Sequence, residues 1–334
     1  MKKPLVSICI PTYNRLDLLK ENLQSCLDQT YANIEIIVTD NSTDNETEQY
    51  FRLLDNKKIK YFRNPKGTGP FTNLNIAISK ATGKYIKFSF DDDLLKPTCI
   101  EKMTAILEKY QNVGVVMAPL DIINNEGDRI YPRFYIVKKM LHLYKYLDND
   151  AVVPKKSILK DFLTRVYPCC VPTGIMFRKA VFNDVGDFDE DALFATDVEM
   201  CMRISTKYDF YYINEILSSW RFTDFSETVN FSQHGFNPNV FYYITKKYVK
   251  QAKNLGFSQK EIPALRKASY FFASKRLMLN VITGLKTRNV SLIIQTVSHV
   301  WHNDPYKTHL FLLPFSLLKE LIVTFNNELS GKEV

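Results

Sequence analysis

Short apolar segments alternate with amphipathic ones over the first third of the chain, and this alternation is the feature that most constrains the fold. The apolar segments have the length of buried strands and lie at 5–10, 34–39, 59–62, 84–90 and 113–118. Between them, leucine and other apolar residues recur near helical spacing. Strands that alternate with helices form parallel sheets joined by right-handed crossovers. The sequence therefore predicts an α/β domain with a mostly parallel sheet flanked by helices.

The later part of the chain is less regular. We interpret 121–168, which is rich in Tyr, Lys and Asp, as excursion loops with a short helix near 157–164. Strand and helix patterns return between 171 and 222, and the pattern beyond them is helical. We therefore divide the chain into a larger α/β domain, 1–225, and a helical C-terminal region, 226–334.

The positive charge of the chain is concentrated in its C-terminal region. Residues 240–334 contain 14 Lys and Arg against 5 Asp and Glu, whereas the rest of the chain contains 30 against 31. Such a basic region indicates an anionic partner, and no nucleic-acid-binding motif accompanies it. The apolar segment 309–326 is interrupted by Pro314 and by Lys319-Glu320, which argues against a spanning helix. Docking on an anionic membrane surface and packing on the larger domain both remain open.

The cysteines and the N-terminal segment indicate the compartment. The six cysteines lack the spacing of a disulfide framework or a zinc site, which is typical of a reducing cytoplasm. The segment MKKPLVSICIPTYN has only a brief apolar run before Pro11, so we interpret it as a first strand rather than a signal peptide. We expect a cytoplasmic protein, peripheral on the inner face of the cell membrane if the C-terminal region docks there.

Three adjacent carboxylates, Asp91, Asp92 and Asp93, follow the apolar run 84–90 and precede Pro97, which can begin a helix. They therefore lie at the carboxyl end of a predicted strand, the edge of an α/β sheet at which ligands bind. Their mutual repulsion can be offset by water on an open loop or by a divalent cation with oxygen ligands. No GxGxxG or GxxxxGK[ST] motif is present, so a bound nucleotide would need a metal to neutralise its phosphates.

Four blocks of the sequence resemble, in order, the motifs of family 2 glycosyltransferases: VSICIPTYNR (6–15), IEIIVTDNSTDNET (34–47), 64–97 and 172–205. The resemblance covers roughly the first 220 residues. It implies the GT-A fold, a Rossmann-like sheet, and metal-dependent transfer of a sugar, with inversion, to a hydroxyl of a glycan or polyprenyl-linked glycan. It further implies a UDP-sugar donor, Mn²⁺ or Mg²⁺, and a role in bacterial surface polysaccharide synthesis (capsule or lipopolysaccharide).

The resemblance also implies roles for individual residues around a nucleotide. Asp40 would accept a hydrogen bond from uracil, although Asp40 with Ser42 and Asp44 could equally form a turn and a helix cap. The acidic triplet would be the DXD element, with one carboxylate on the ribose and another on the metal. Phe90 stands where the common pattern has its first aspartate, so the choice of ligand among Asp91, Asp92 and Asp93 stays open. The other predicted nucleotide contacts are Thr12, Tyr13, Asn14, Arg15, Asn64, Lys66 and Asn73.

Asp197 is the predicted catalytic base, because the family has an acidic pair at the start of this helix and here the pair reads Thr196-Asp197. The alternative is a capping box of Thr196 and Glu199, with Asp197 stabilising the first turn. The histidine that many members carry two residues beyond an arginine is Thr223 here, and His234 is the nearest substitute.

Two other functions fit part of the pattern. A sugar nucleotidyltransferase would need a glycine-rich basic loop after the first strand, where this chain has Pro11-Thr12-Tyr13-Asn14. A sugar-nucleotide-binding scaffold without catalysis would explain the incomplete acidic pair and the missing histidine.

Overall fold

The computed structural model describes residues 3–130, 149–164, 172–222, 238–287 and 289–306. They fall into two compact units. The described residues of the first unit are 3–130, 149–159 and 172–222, and those of the second are 160–164, 238–287 and 289–306. Within this part of the chain no helix is both long enough and apolar enough to cross a bilayer.

The strands of the first unit are β1 (Val6–Thr12), β2 (Ile34–Asp40), β3 (Ile59–Arg63), β4 (Tyr85–Phe88), β5 (Leu94–Leu95), β6 (Val113–Met117), β7 (Leu120–Ile123), β8 (Arg129–Ile130), β9 (Ala151–Val153), β10 (Ile175–Arg178), β11 (Asp209–Tyr212) and β12 (Ser218–Arg221). Eight form the central sheet in the order β3-β2-β1-β4-β10-β6-β11-β9, and the other four form a small sheet in the order β5-β12-β7-β8. Strands β3, β2, β1 and β4 are parallel, and β10 runs antiparallel to both β4 and β6. The central sheet is therefore mostly parallel, as the alternation predicted.

The helices within the described residues are α1 (Leu16–Leu27), α2 (Glu46–Leu53), α3 (Pro70–Lys80), α4 (Cys99–Lys109), α5 (Lys155–Thr164), α6 (Ala180–Val185), α7 (Thr196–Ile204), α8 (Pro238–Lys250), α9 (Glu261–Lys286) and α10 (Val290–Asn303). Short 3₁₀ turns precede β10 and α7. Helix α1 shows why the pattern forms: Leu19, Leu23 and Cys26 recur on one face and are buried. Strands β1 and β2 are buried along almost their whole length, as expected for strands covered on both faces.

The prediction of excursion loops for 121–168 is wrong at three places, where the chain forms β7, β8 and β9. These strands are two to four residues long, too short for a periodic pattern. Two of them also pair with strands that are distant in sequence, β7 with β12 and β9 with β11. The helix predicted near 157–164 is present as α5. The predicted apolar helix 309–326 lies outside the described residues.

Helices α8, α9 and α10 pack on one another in the second unit. A buried polar network joins them, in which the Ser274 hydroxyl donates to Asp304 at 2.7 Å and lies 2.9 Å from the Tyr242 hydroxyl. Burial without partners would be unfavourable for these groups, so the network specifies how the three helices meet.

Candidate active site

The candidate site lies at the edge where β1, β2 and β4 end, called here the carboxyl edge. Thr12 at the end of β1 is in register with Asp40 at the end of β2, and Cys9 of β1 with Phe88 of β4. The loops that leave these three neighbouring strands carry most of the residues predicted from the sequence. The parallel register therefore brings together segments that are up to 80 positions apart in the chain.

Asp91 and Asp92 are neighbours on the loop after β4, called here the acidic loop (Asp91–Asp93). The Asp91 carboxylate accepts hydrogen bonds from the Thr12 hydroxyl at 2.8 Å and from the Tyr13 N–H at 3.2 Å. Arg15 Nη1 lies 2.7 Å from Asp92 Oδ2 and 3.6 Å from Asp91 Oδ1. Arg15 thus bridges two largely buried carboxylates while keeping part of its own surface in solvent.

Burial raises the pKa of Asp91 to about 7, and repulsion from Asp92 adds to the effect. Burial also raises the pKa of Asp92, against the opposing charge of Arg15. Ionisation of both carboxyl groups is therefore unfavourable unless positive charge lies beside them.

Asp93 has a different environment from its two neighbours. Its side chain is fully buried, Oδ1 accepts the Arg221 N–H at 3.0 Å, and Oδ2 accepts the Thr173 hydroxyl. Burial, with repulsion from Asp92, raises its pKa well above the usual range. The ammonium of Lys87, also fully buried, donates to the carbonyl oxygens of Phe88 and Thr173. Asp93 therefore anchors the acidic loop to the segment before β10, and its oxygens are directed to protein donors.

Two residues that the sequence reasoning did not select hold the backbone of the acidic loop. The Asn22 amide, on the buried face of α1, donates to Ser89 Oγ and to the carbonyl oxygens of Phe90 and Asp93, each at 2.7 Å. Arg221 Nε donates to the Asp92 carbonyl oxygen at 2.8 Å. The sequence feature that could have identified Asn22 is its place, as a polar residue, among the apolar positions of α1.

Arg221 connects the acidic loop to two further segments. Its side chain is fully buried, and its guanidinium donates to the Asn125 carbonyl at 2.6 Å and to Glu21 Oε2 at 2.6 Å. A buried guanidinium with partners on every side fixes the positions of all of them. In the sequence analysis Arg221 only marked the position of the missing histidine. Its structural role was not predictable, because its partners are separated from it by about 100 to 200 positions.

The predicted uracil-binding residue, Asp40, has no exposed surface. Its Oδ1 accepts the Ser42 N–H at 2.7 Å, and its Oδ2 accepts the Tyr61 hydroxyl at 2.6 Å and Arg63 Nη1 at 2.7 Å. This geometry is the turn that the sequence allowed as an alternative. A hydrogen bond from uracil to Asp40 stays a prediction, and it would require at least one of these donors to move away from the carboxylate.

The segment after β1 presents the other predicted base contacts. Asn14 has a left-handed backbone with φ of 53°, its N–H donates to Ser42 Oγ at 2.9 Å, and its Oδ1 accepts the Thr43 N–H at 2.8 Å. This conformation turns the chain between Tyr13 and Arg15. Tyr13 is 55% exposed, so its ring is accessible for stacking.

The predicted asparagines link strand ends rather than pointing into solvent. Asn64 Nδ2 donates to Asn41 Oδ1 at 2.7 Å and to Asn73 Oδ1 at 2.8 Å, and Asn73 Nδ2 donates to the Thr39 carbonyl at 3.1 Å. These bonds place the start of α3 beside the end of β2. Lys66 is exposed on the loop between them.

Asp197 lies in the first turn of α7 and keeps part of its surface exposed. Its Oδ1 accepts the Val198 N–H at 2.7 Å, and burial raises its pKa to about 7 against that hydrogen bond. The alternative capping box is not formed. Helix α7 has no side-chain cap, the Thr196 hydroxyl donates to the Asp189 carbonyl at 2.8 Å, and Glu199 pairs with Arg203 at 2.8 Å.

The segment that leads into α7 is held at the carboxyl edge. Asn75 of α3 donates to the Phe188 carbonyl at 3.0 Å and accepts the Phe188 N–H at 2.9 Å. The Thr72 hydroxyl donates to Glu190 Oε2 at 2.8 Å. Because the start of α3 lies beside the end of β2, these contacts bring the segment before Asp197 to the edge that carries the acidic loop.

The residues fit a cation that is shared with a diphosphate. Within the described ranges, no three His, Cys, Asp or Glu side chains are grouped so that they could hold a metal ion alone. Magnesium sites of nucleotide enzymes commonly use only one or two carboxylates, with phosphate and water as the other ligands. Asp91 and Asp92 match that donor set. The substitute ligand His234 and Thr223 lie outside the described residues.

Comparisons with known proteins identify the family to which the sequence is similar. Residues 7–186 match the family model described as glycosyl transferase family 2. The chain is 28% identical over 241 residues to an uncharacterized glycosyltransferase of Rickettsia felis, covering 72% of this chain and 38% of the relative. It is 37% identical over 213 residues to an uncharacterized glycosyltransferase of Haemophilus influenzae, covering 58% of this chain and 60% of the relative. The chain thus spans between about a third and two thirds of the length of such relatives.

Among solved structures, the fold is similar to that of S. aureus TarS 1–349 in complex with UDP-GlcNAc. The TM-score is 0.65 at 16% sequence identity, and the similarity covers 90% of this chain and 81% of that one. At this identity the similarity concerns the fold.

Proposed function

The chain belongs to glycosyl transferase family 2, and on this premise we propose that it transfers a sugar from a UDP-sugar, with inversion, to a hydroxyl of a glycan or lipid-linked acceptor. The family match confirms the resemblance seen in four blocks of the sequence. The setting we propose is bacterial surface polysaccharide synthesis, with residues 1–225 as the catalytic domain and 226–334 as a helical region.

The single observation that carries the proposal is the pair Asp91 and Asp92 at the carboxyl edge. Both have raised pKa values, both face Arg15, and Asn22 and Arg221 hold their loop. A rigid pair of carboxylates is suited to a divalent cation and, through it, to a diphosphate. We assign the cation to Asp91 and Asp92 and assign Asp93 an anchoring role. When bound, Mn²⁺ or Mg²⁺ would stabilise negative charge on the departing diphosphate.

The chain's own residues would perform the remaining steps. Asp197, with a pKa of about 7, is a stronger base than an ordinary aspartate and would take the proton of the acceptor hydroxyl as its oxygen attacks the anomeric carbon. UDP would leave from the opposite face, which inverts the configuration. Tyr13 and Arg15 would contact the nucleotide on the side of the loop after β1, together with Asn14.

The test is a donor-binding and turnover experiment with UDP-GlcNAc, the ligand of the TarS structure, as first probe, followed by other UDP-sugars and GDP-sugars. We expect donor hydrolysis or transfer that requires Mn²⁺ and stops with EDTA. Asp91→Asn and Asp92→Asn should each weaken donor binding in the presence of Mn²⁺. Leu53→Ala, at an exposed apolar residue of α2, is the control and should leave binding unchanged.

Two results would contradict the proposal. One is donor binding that is equally tight with and without a divalent cation and in both aspartate variants. The other is an Asp197→Asn variant that binds the donor and turns it over like the wild type, which would exclude Asp197 as the catalytic base. Donor binding by the wild type without any turnover would favour the scaffold function.

Contact with the inner face of the cell membrane belongs to the same proposal. What supports it is the basic composition of residues 240–334, together with the need to reach an acceptor on a lipid carrier. The compartment would then be the cytoplasm.

A further inference from the structure

Helix α10 exposes a strip of apolar side chains. Ile294, Val297 and Trp301 are 62%, 39% and 44% exposed, and their spacing of three and four residues places them on one face. The opposite face, with Thr296 and Val300, is buried within the second unit. The helix VSLIIQTVSHVWHN contains no Lys, Arg, Asp or Glu. An exposed helix face without charge and with a tryptophan is typical of a surface that contacts something amphipathic.

The second unit, which carries this strip, is strongly basic. Residues 238–306 contain eleven Lys and Arg and only two acidic residues, Glu261 and Asp304. Asp304 is buried in the hydrogen-bond network of the three helices, so it contributes little negative charge at the surface. Lys246 of α8 donates to Asn303 Oδ1 at 2.8 Å, which places a lysine at the C-terminal end of α10. Lys250 and Lys253 are exposed further along α8 and after it.

A shallow groove of about 400 Å³ lies on the same helix, lined by Gln295, Ser298, His299, His302 and Asn303. These side chains offer amide, hydroxyl and imidazole groups that can donate hydrogen bonds. Apolar side chains, hydrogen-bond donors and lysines thus occur together on one helical unit. A phospholipid surface combines the matching chemistry, since its acyl boundary is apolar and its headgroups carry phosphate.

We propose that this face of the second unit, consisting of Ile294, Val297 and Trp301, docks on an anionic phospholipid bilayer, with the lysines of the same unit supplying the positive charge. Helix α10 lies in the interface, Trp301 reaches the acyl boundary, and the lysines contact headgroups. A second copy of the chain is a poorer occupant, because two strongly basic units repel each other. The inference deepens the proposed function, since it assigns membrane contact to particular residues.

The experiment is co-sedimentation of the full chain with vesicles of equimolar phosphatidylglycerol and phosphatidylcholine, compared with vesicles of phosphatidylcholine alone. We expect binding to the anionic vesicles that weakens with added salt. The double substitution Ile294→Ala with Trp301→Ala should lower the partition coefficient by about tenfold, because two apolar side chains no longer enter the interface. Lys246→Gln with Lys250→Gln should lower it on anionic vesicles and leave binding to neutral ones unchanged.

Leu53→Ala is the matched control, since it removes an exposed apolar side chain from the first unit and should not change partitioning. Unchanged binding of the Ile294/Trp301 variant would overturn the proposal, as would a loss of binding only when residues 307–334 are removed. A dimer in analytical ultracentrifugation that the same variant converts to a monomer would identify a second copy as the occupant instead. Vesicle binding requires no turnover, so an inactive enzyme that still binds vesicles would count against the proposed function alone.

Discussion

Replacement of Asp197 by asparagine tests the catalytic assignment through two independent quantities, the free energy of unfolding and the rate. Burial raises the pKa of Asp197 from 3.8 to about 7. The folded state therefore binds this proton more tightly than the unfolded chain does. As a result, the free energy of unfolding falls as pH rises from about 4 to about 7, and above that range the ionised carboxylate destabilises the fold.

The size of this effect follows from the pKa difference. A difference of about three pH units corresponds to about 4 kcal/mol at full burial. Asp197 keeps part of its surface exposed, and solvent screening reduces the effect, so we expect about 1–2 kcal/mol. Asparagine resembles the neutral acid in shape and cannot ionise. Asp197→Asn should therefore be more stable than the wild type at about pH 8 by this amount and nearly equal to it at about pH 3.5, where the carboxyl group is mostly protonated in both states.

Activity should change in the opposite direction. Loss of a general base lowers turnover by about 10²–10⁴-fold, while donor binding in Mn²⁺ is retained. In the wild type, kcat/KM should rise with pH and level off above about pH 7 as Asp197 loses its proton. The assays are urea unfolding at the two pH values and the initial rate of UDP release.

Asp191→Asn is the control, because Asp191 is an exposed acid in the 3₁₀ turn just before α7. It should alter neither quantity. Equal stabilisation of Asp197→Asn at both pH values would refute the electrostatic reasoning. Wild-type turnover in that variant would refute the catalytic role.

Three further predictions concern residues that support the site or the sheet. Arg221→Lys keeps the charge but loses the hydrogen bonds that the guanidinium makes to the acidic loop and to Glu21. Urea unfolding should therefore show that the free energy of unfolding falls by about 2–3 kcal/mol. The control Arg52→Lys, at an exposed residue of α2, should change it little. Arg15→Met removes the cation beside Asp92, so the variant without nucleotide should bind Mn²⁺ about tenfold more tightly than the wild type. Calorimetry measures this affinity. Weaker or unchanged binding would show that Arg15 does not compete with the metal. Burial tends to raise the pKa of Glu35, but hydrogen bonds from Lys60, Ser7 and Thr82 outweigh it and hold the pKa at about 2. This contribution to stability is present above pH 4.5 and is lost as pH falls toward 2. Glu35→Gln should therefore lower the free energy of unfolding by about 2 kcal/mol at neutral pH and make the acid-unfolding transition shallower. An acid transition as steep as that of the wild type would contradict this.

The candidate site was predictable where the type of a residue and its position within one short segment indicate its role. Asp91 and Asp92 lie shortly after a buried strand, and Asp197 lies in the first turn of a helix, so position and residue type indicated them without a structure. Their different environments were not predictable. Asp93 has the same sequence context as its neighbours, yet Thr173 and Arg221 occupy its oxygens. Asp40 likewise proved to be surrounded by donors from β3.

The alternation of strands and helices was determined by the sequence itself, because the period of apolar residues selects strand or helix locally and parallel strands then follow from the helical crossovers. It thereby placed Thr12, Asp40 and the acidic loop at one edge of a sheet. Only the tertiary structure decided which residues hold that loop. Asn22 and Arg221 reach it from positions about 70 and 130 residues away, and such contacts depend on how β12, α1 and β4 pack together rather than on any pattern within a single segment.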